Sequence, residues 1–357
     1  MARASDAVGL GKLAVDAVRG LTDVVESMHG TIASATLPIG VPPKSATRGL
    51  TRLVYQTIRG VTGIVGRGVD LVHASPSEQS SPRRDVLVSA LNGVIGDHLA
   101  ATDNPLAMPM RLHGSAAGGR ALVLVHGLCM HHVRWKRDGH DHGDVLARTH
   151  GLAPIYASYN SGRHISSNGR DLADALEALD ADELVLLGHS MGGLVLRSAC
   201  EYGRRADHRW LAKLSHLVFL GTPHHGAPLE RAGNLAQVLL GLSPYVAPII
   251  RIGGGRSAGI RDLRFGNVLD EDWADRDPHD RRDPRTPVAL PAGVACFAIA
   301  GSRGGKGDGL VPVASALGHH DDPRFELAIP QQRVVEDCDH LGLLAHPAVA
   351  EQLAAWL

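Results

Sequence analysis

Ser190 stands in the sequence Gly188-His189-Ser190-Met191-Gly192, which matches the pattern G-x-S-x-G. In this pattern a strand turns sharply into a helix and exposes a serine hydroxyl at the turn. The glycines leave space, because a Cβ at either flanking position would crowd a strained backbone. The pentapeptide therefore predicts a nucleophilic serine. The alternative interpretation is a glycine-rich structural turn.

A serine nucleophile needs a base to accept its proton and a third group to orient that base. When the serine comes first in the chain, the acid is expected next and the histidine last. Asp308 lies between two glycines after a predicted strand, and His340 comes shortly before the last predicted helix. We interpret Ser190, Asp308 and His340 as a candidate catalytic triad. Asp337 and Asp339 are rival acids, but both lie too close in sequence to His340 to hold its ring easily.

A third component of such a site binds the negative charge that develops on a carbonyl oxygen during the reaction. His126-Gly127 ends a predicted strand, and Gly127 permits a tight turn after it. The backbone N–H groups of Leu128 and Met191 are then the expected donors to this oxyanion, one from each turn. For His126 the alternative to a functional role is a buried structural histidine that hydrogen-bonds to its own loop, and both interpretations can hold together.

The chain contains 21 histidines, so a single histidine is weak evidence for a functional site. His224 and His225 follow a predicted strand, and we expect them to line the mouth of the pocket and to bind substrate. A denser group of histidines and aspartates is predicted to be a solvated loop and not a metal site: His131, His132, Asp138, His140, Asp141, His142 and Asp144. The glycine-rich stretch 301–309 lacks the Gly-Lys-Ser/Thr ending of a phosphate-binding loop.

Strands and helices alternate from residue 120 onward, which predicts an α/β fold: a mostly parallel central sheet with helices on both faces. An N-cap is predicted at Ser166 or Ser167. Between about 226 and 291 the alternation stops, and we predict a lid-like insertion that includes an apolar helix over 235–242. The predicted strands cover 121–125, 153–159, 183–187, 216–220 and 294–300, and the predicted helices cover 171–179, 193–202 and 348–357.

The first part of the chain differs from the remainder. Apolar residues recur at helical spacing over 10–32, 50–65 and 86–99, and proline-containing breaks separate these stretches. We therefore divide the chain into an N-terminal amphipathic helical region, 1–105, and a catalytic domain, 106–357. The apolar stripes need a partner, which could be the catalytic domain, another subunit or a lipid surface. Residues 75–84 are predicted to be a flexible linker.

Composition limits the classes of function. The chain has 357 residues, 44% of them hydrophobic, and a net charge of −1, so no global field attracts nucleic acid. The four cysteines are scattered and are predicted to be buried free thiols. Asp6, Lys12 and Asp16 interrupt any apolar core of a secretory signal, and no stretch approaches the roughly 20 apolar residues of a spanning helix. We therefore expect a cytoplasmic protein. The oligomeric state is not indicated.

Five motifs in order make residues ~120 to 357 resemble an α/β-hydrolase of the lipase type, in particular bacterial triacylglycerol lipases and related esterases. The resemblance implies hydrolysis of a small-molecule or lipid ester through an acyl-serine, without a cofactor. Gly342 stands where many of those lipases have a calcium-ligating aspartate, so no metal is expected. The motifs are Val125-His126-Gly127-Leu128, Gly188-His189-Ser190-Met191-Gly192-Gly193, Gly221-Thr222-Pro223-His224-His225-Gly226, Asp308-Gly309-Leu310-Val311-Pro312 and Asp339-His340-Leu341.

Two alternatives remain open at this point. The same three residues would serve an acyltransferase, in which an alcohol or thiol takes the acyl group in place of water. They would also serve a thioesterase, whose substrate has sulfur in place of the ester oxygen. A catalytically silent hydrolase scaffold, used for binding through the N-terminal helices, is the second alternative.

Overall fold

Seven strands form one sheet in the computed structural model, which describes residues 9, 11–13, 82–227, 257–276, 283 and 285–357. Their spatial order is β1-β3-β2-β4-β5-β6-β7. β1 pairs antiparallel with β3, and every other pair of neighbours is parallel. The predicted mostly parallel sheet is therefore confirmed. The strands are β1 (Arg111–His113), β2 (Arg120–Val125), β3 (Ala153–Ser158), β4 (Glu183–His189), β5 (Leu214–Leu220), β6 (Ala295–Ser302) and β7 (Gln331–Glu336).

Helices cover both faces of the sheet, as predicted. Side chains alternate between the faces along each strand, so that Val123 of β2 belongs to one apolar core and Leu124 to the other. The first core includes α1, α3 and α4, and the second includes α2 and α7. The helices are α1 (Pro82–Ala101), α2 (His142–His150), α3 (Ile165–Glu177), α4 (Met191–Arg205), α5 (Ala258–Asp262), α6 (Val313–Leu317) and α7 (Pro347–Trp356).

Helix α3 begins earlier than the sequence predicts. Its N-cap is His164, and the predicted caps Ser166 and Ser167 lie inside the first turn. The reason is a contact from a distant part of the chain, because a carboxylate oxygen of Asp262 accepts a hydrogen bond from Ile165 N at 2.8 Å. A partner 97 residues away thus takes over the role that a local hydroxyl was expected to fill.

Helix α1 packs against the first core of the sheet and supports the turn that follows β2. Leu91 and Val94 are buried in that core. Glycine permits the close approach, since a Cβ on Gly93 would overlap the side chain of Cys129, two residues beyond Gly127. Part of the stretch predicted to be a linker is helical, because α1 already begins at Pro82.

Several predictions fall on residues outside the described ranges. These are the first two amphipathic helices, apart from residues 9 and 11–13, and the apolar helix over 235–242. The division of the chain at 105/106 and the lid stay predictions, because residues 14–81 and 228–256 lie outside the described ranges. Where the structure is described, no helix has the length and apolar character needed to cross a bilayer. All four cysteines are buried and free, as predicted.

We expect Gly93→Ala to lower the free energy of unfolding by about 1–3 kcal/mol, because the new methyl group must push α1 away from the turn. The added Cβ would lie 2.9 Å from the backbone Cα of Cys129, which has little freedom to move. Urea denaturation measures the change. Gly11→Ala is the matched control, because an added Cβ there meets nothing within 4 Å. Equal stabilities of Gly93→Ala and the parent protein would contradict the close packing of α1.

Candidate active site

The carboxyl ends of the parallel strands bring the candidate residues to one edge of the sheet. Leu128 follows β2, Ser190 follows β4, Asp308 follows β6 and His340 follows β7. Because all four strands are parallel, their carboxyl ends lie at the same edge, where sites in open α/β sheets form.

Ser190 occupies the tight turn between β4 and α4 with φ 56° and ψ −127°. This backbone conformation is costly for a residue with a side chain, by about 1–3 kcal/mol, and it aims the side chain away from both elements. A Cβ on Gly188 would lie 2.6 Å from Gly193 N, and one on Gly192 would overlap the carbonyl oxygen of Val125. The flanking glycines are thus required by close packing, as their position in the sequence indicates.

One short, buried hydrogen bond joins His340 to Asp308 at this edge of the sheet. Nδ1 of His340 donates to Oδ2 of Asp308 at 2.6 Å, and the two side chains are almost completely buried. The other carboxylate oxygen of Asp308 accepts hydrogen bonds from Leu310 N at 2.9 Å and Val311 N at 2.8 Å. Burial alone would raise the pKa of Asp308, but the His340 ring and these hydrogen bonds hold the pKa below its ordinary value.

The turn after β5 leaves room for this pair. Gly221 has φ +55°, and a Cβ there would lie 3.1 Å from Oδ2 of Asp308 and 3.3 Å from Nδ1 of His340. The rival acids lie elsewhere: Asp337 and Asp339 are exposed. A carboxylate oxygen of Asp339 accepts a hydrogen bond from Gly342 N at 2.7 Å.

His189 connects the turn of Ser190 to the loop of His340. His189 precedes Ser190 in the chain, and its Nε2 donates to the backbone oxygen of His340 at 2.9 Å. The centroids of the two imidazole rings are 4.8 Å apart. The turn of Ser190 and the loop that carries His340 are therefore in direct contact.

The turn after β2 lies against the turn of Ser190. A Cβ on Gly127 would be 2.9 Å from Cβ of Ser190. The N–H groups of Leu128 and Met191 have no protein acceptor within the part of the chain that is described. For Met191 the reason is general, since the first amide of a helix has no partner inside that helix. Two free amides near one serine are what an oxyanion requires.

His126 is a buried structural histidine, as predicted. Its Nδ1 lies 2.9 Å from the carbonyl oxygen of Gly127, and its ring stacks on Tyr159. The Tyr159 hydroxyl donates to the carbonyl oxygen of His126 at 2.6 Å. Burial lowers the pKa of His126 to about 3, so the ring is neutral near pH 7.

His224 and His225 have different surroundings. The His224 ring is fully buried, edge-on to Phe219. The half-buried His225 donates from Nε2 to the carbonyl oxygen of Gly318 at 2.9 Å and accepts from the Arg285 guanidinium at 3.2 Å. Substrate binding by either histidine stays a prediction.

The predicted solvated loop of histidines and aspartates is wrong in part, because three members are buried: His131, Asp141 and His142. Asp141 begins α2 by accepting a hydrogen bond from Gly143 N, and it also accepts one from the hydroxyl of Tyr156. The end of this segment is thus helical, because His142 and Asp144 lie in the first turn of α2. Over the described ranges, no three His, Cys, Asp or Glu residues are grouped so that they could hold a metal ion.

Sequence reasoning did not single out two histidines that contact the loop carrying His340. Nε2 of His142 lies 2.9 Å from the carbonyl oxygen of Leu343, and the other contact is that of His189. The position of His189 beside the serine was an available signal. His142 carried none, because nothing in its local sequence distinguishes it from the other histidines.

Comparison with known proteins gives one family match. The model of the alpha/beta hydrolase family matches residues 122–352. A search of curated proteins finds no significant match. Solved structures with a similar fold include the mature lipase BlEst2 of Bacillus licheniformis, with 20% identity, 69% of this chain and 99% of that chain covered, and a TM-score of 0.43.

Two esterases of Bacillus subtilis are also similar in fold. Naproxen esterase (carboxylesterase NP) has 14% identity, 78% of this chain and 99% of that chain covered, and a TM-score of 0.41. Carboxylesterase CesB has 12% identity, 75% of this chain and 97% of that chain covered, and a TM-score of 0.42.

The buried carboxylate of Asp308 makes stability depend on pH. A carboxyl whose pKa is lower in the folded than in the unfolded protein contributes stability above its unfolded pKa, about 3.9, and loses it as pH falls through the folded pKa. We therefore expect the difference in unfolding free energy between the parent protein and Asp308→Asn to be largest near neutral pH. It should shrink as pH falls below about 4.

Chemical denaturation of both proteins over this pH range measures the difference. Asp182→Asn is the control, because the Asp182 side chain is exposed and has no hydrogen bond or ion pair within the described ranges. A difference that grows as the solution is acidified would mean that the Asp308 carboxyl is not stabilised in its charged form.

Proposed function

Because this chain belongs to the alpha/beta hydrolase family, we propose that it is a serine hydrolase of carboxylic esters that acts through an acyl-serine intermediate. The observation that carries the proposal is the buried hydrogen bond between His340 and Asp308, next to the strained turn of Ser190. This combination supplies a base, a group that orients it and a half-buried serine hydroxyl as the nucleophile.

The proposed reaction has two steps. Oγ of Ser190 attacks the ester carbonyl carbon while Nε2 of His340 takes its proton, and the negative charge moves to the carbonyl oxygen. The N–H groups of Leu128 and Met191 donate to that oxyanion. When the tetrahedral species collapses, the ester C–O bond breaks, and His340 gives its proton to the leaving alcohol.

Water completes the cycle. His340 takes a proton from a water molecule, whose oxygen attacks the acyl-serine carbonyl carbon. The bond to Oγ of Ser190 then breaks, the proton returns to that oxygen and the carboxylic acid leaves. Throughout, the Asp308 carboxylate accepts from Nδ1 of His340 and stabilises the imidazolium that forms.

The low pKa of Asp308 supports this role. A carboxyl that stays ionised in a buried site presents a full negative charge to the histidine ring, where the dielectric constant is low and the interaction is strong. The amides of Leu310 and Val311 occupy its second oxygen, so that Oδ2 is left for His340.

We further propose an apolar acyl group or a lipid as the substrate. The support is the sequence of the insertion after Gly226, with its apolar stretch over 235–242, because an acyl chain needs a covered apolar groove. A cytoplasmic location and a lipid-surface contact through the N-terminal helices belong to the same proposal.

We expect Ser190→Ala to reduce hydrolysis of p-nitrophenyl esters by roughly 10³-fold or more, because the acyl-enzyme can no longer form. The release of p-nitrophenol measures the rate over a panel of acyl chain lengths, which also tests the apolar substrate. Ser215→Ala is the matched control, because Ser215 lies near the amino end of β5, away from the site, and it should keep full activity.

Labelling and acceptor competition separate the alternatives. A fluorophosphonate should label the parent protein and leave Ser190→Ala unlabelled. Unchanged ester hydrolysis by Ser190→Ala would overturn the proposal. Acyl transfer to an added alcohol or thiol in preference to water would indicate a transferase or thioesterase, and a parent protein that resists labelling would indicate a silent scaffold.

A further inference from the structure

We infer that His189 is a positioning residue, which keeps the imidazole of His340 aligned by holding the backbone carbonyl of the same residue. This inference rests on the proposed function, since His340 is the base of that reaction. It concerns a side chain next to the nucleophile that does not itself enter the chemistry.

The backbone of His340 is held on both sides. Its N–H donates to the carbonyl oxygen of Asp308 at 3.1 Å, and its own carbonyl oxygen accepts from Nε2 of His189 at 2.9 Å. The ring hydrogen bond to Asp308 is a third constraint on the same residue. With the peptide groups fixed at both ends, the Cα–Cβ bond of His340 keeps its direction, so that the ring stays within reach of the Asp308 carboxylate that it bonds.

The chemistry of the contact fixes the state of His189. A carbonyl oxygen only accepts, so Nε2 of His189 must carry the proton and donate. His189 is fully buried, and its Nδ1 has no partner among the described residues. The single hydrogen bond of this ring therefore goes to His340, and an apolar side chain of similar size would avoid burying an unpaired nitrogen.

His189 also stays out of the proton transfer. Burial and the positive charge that develops on His340 lower the pKa of His189 to about 3. The two imidazoles have ring centroids 4.8 Å apart, and the His189 ring stays neutral near pH 7. His189 is thus a neutral, hydrogen-bonding ring.

A second buried histidine holds the same loop further along the chain. Nε2 of His142, on α2, donates to the carbonyl oxygen of Leu343 at 2.9 Å, and its Nδ1 accepts from His140 at 2.9 Å. Burial lowers the pKa of His142 to about 4, so this ring is also neutral. Two carbonyls of the loop, three residues apart, are each held by a neutral histidine from a different element.

The test compares His189→Asn with His189→Gln, whose side-chain amides differ in their distance from the backbone. The amide nitrogen of glutamine can occupy the place of Nε2, whereas that of asparagine reaches only the place of Nδ1. We expect His189→Asn to lower kcat by between about 10- and 100-fold with KM changed by less than about twofold. We expect His189→Gln to recover most of that loss. His216→Asn, near the amino end of β5, is the control and should match the parent protein.

A spectroscopic measurement tests the alignment without using activity. The proton shared by Nδ1 of His340 and Asp308 should give a strongly deshielded NMR resonance that disappears in Asp308→Asn. It should broaden or vanish in His189→Asn and return in His189→Gln. Thermal unfolding monitored by circular dichroism checks that each variant is folded. If His189→Asn does not fold, the comparison is made between His189→Gln and the parent protein, and loss of the resonance in a folded His189→Gln contradicts the positioning role.

The outcomes separate this inference from the proposed function. Persistence of the deshielded resonance and of kcat in a folded His189→Asn would overturn the positioning role. Equal losses in the asparagine and glutamine variants would also overturn it, because the donor would then not matter. If the parent protein hydrolyses no ester, the proposed function fails, but the resonance still reports whether His189 holds the ring.

Discussion

The arrangement of the site depends on one buried hydrogen bond, that between Nδ1 of His340 and Oδ2 of Asp308. A buried carboxylate is costly unless other groups satisfy it, and here two backbone amides and one imidazole do so. This requires the ends of β6 and β7 to be adjacent, which their parallel pairing provides. It also requires a residue without a side chain at position 221, since a Cβ there would press on both partners.

The strained turn of Ser190 depends in the same way on close packing. Glycines at 188, 192 and 193 allow β4, α4 and the neighbouring loops to approach within distances that no other residue permits. The stable sheet and α4 on either side hold the serine in its unfavourable conformation. The candidate nucleophile and its candidate base are therefore both products of tertiary packing, although each is encoded by a short local motif.

The central strands and the candidate triad could be predicted from sequence because their signals are local. Apolar runs such as 184–187 have a strand pattern, and the glycine spacing around Ser190 is typical of a turn that exposes a nucleophile. The edge strands β1 and β7 were missed, because one has three residues and the other, Gln331–Glu336, is mostly polar. Helix α2 was missed because its first turn is rich in histidine and aspartate, which are typical of loops.

Contacts between distant segments could not be predicted from a single sequence. The cap that Asp262 provides for α3 spans 97 residues, and the bond from His142 to Leu343 spans 201. Nothing in the local sequence of His142 reports a carbonyl so far along the chain. The local sequence around a histidine that holds a loop does not differ from that around a surface histidine, because the partner lies far along the chain.

The packing of Gly93 on Cys129 has a consequence for where the functional unit begins. The family match starts at residue 122, after α1 has ended, yet α1 lies against the turn that presents the Leu128 amide. Residues upstream of the recognised hydrolase region are thus part of the wall behind the site. Substitutions in α1 could therefore change the position of the Leu128 amide while every motif residue remains the same.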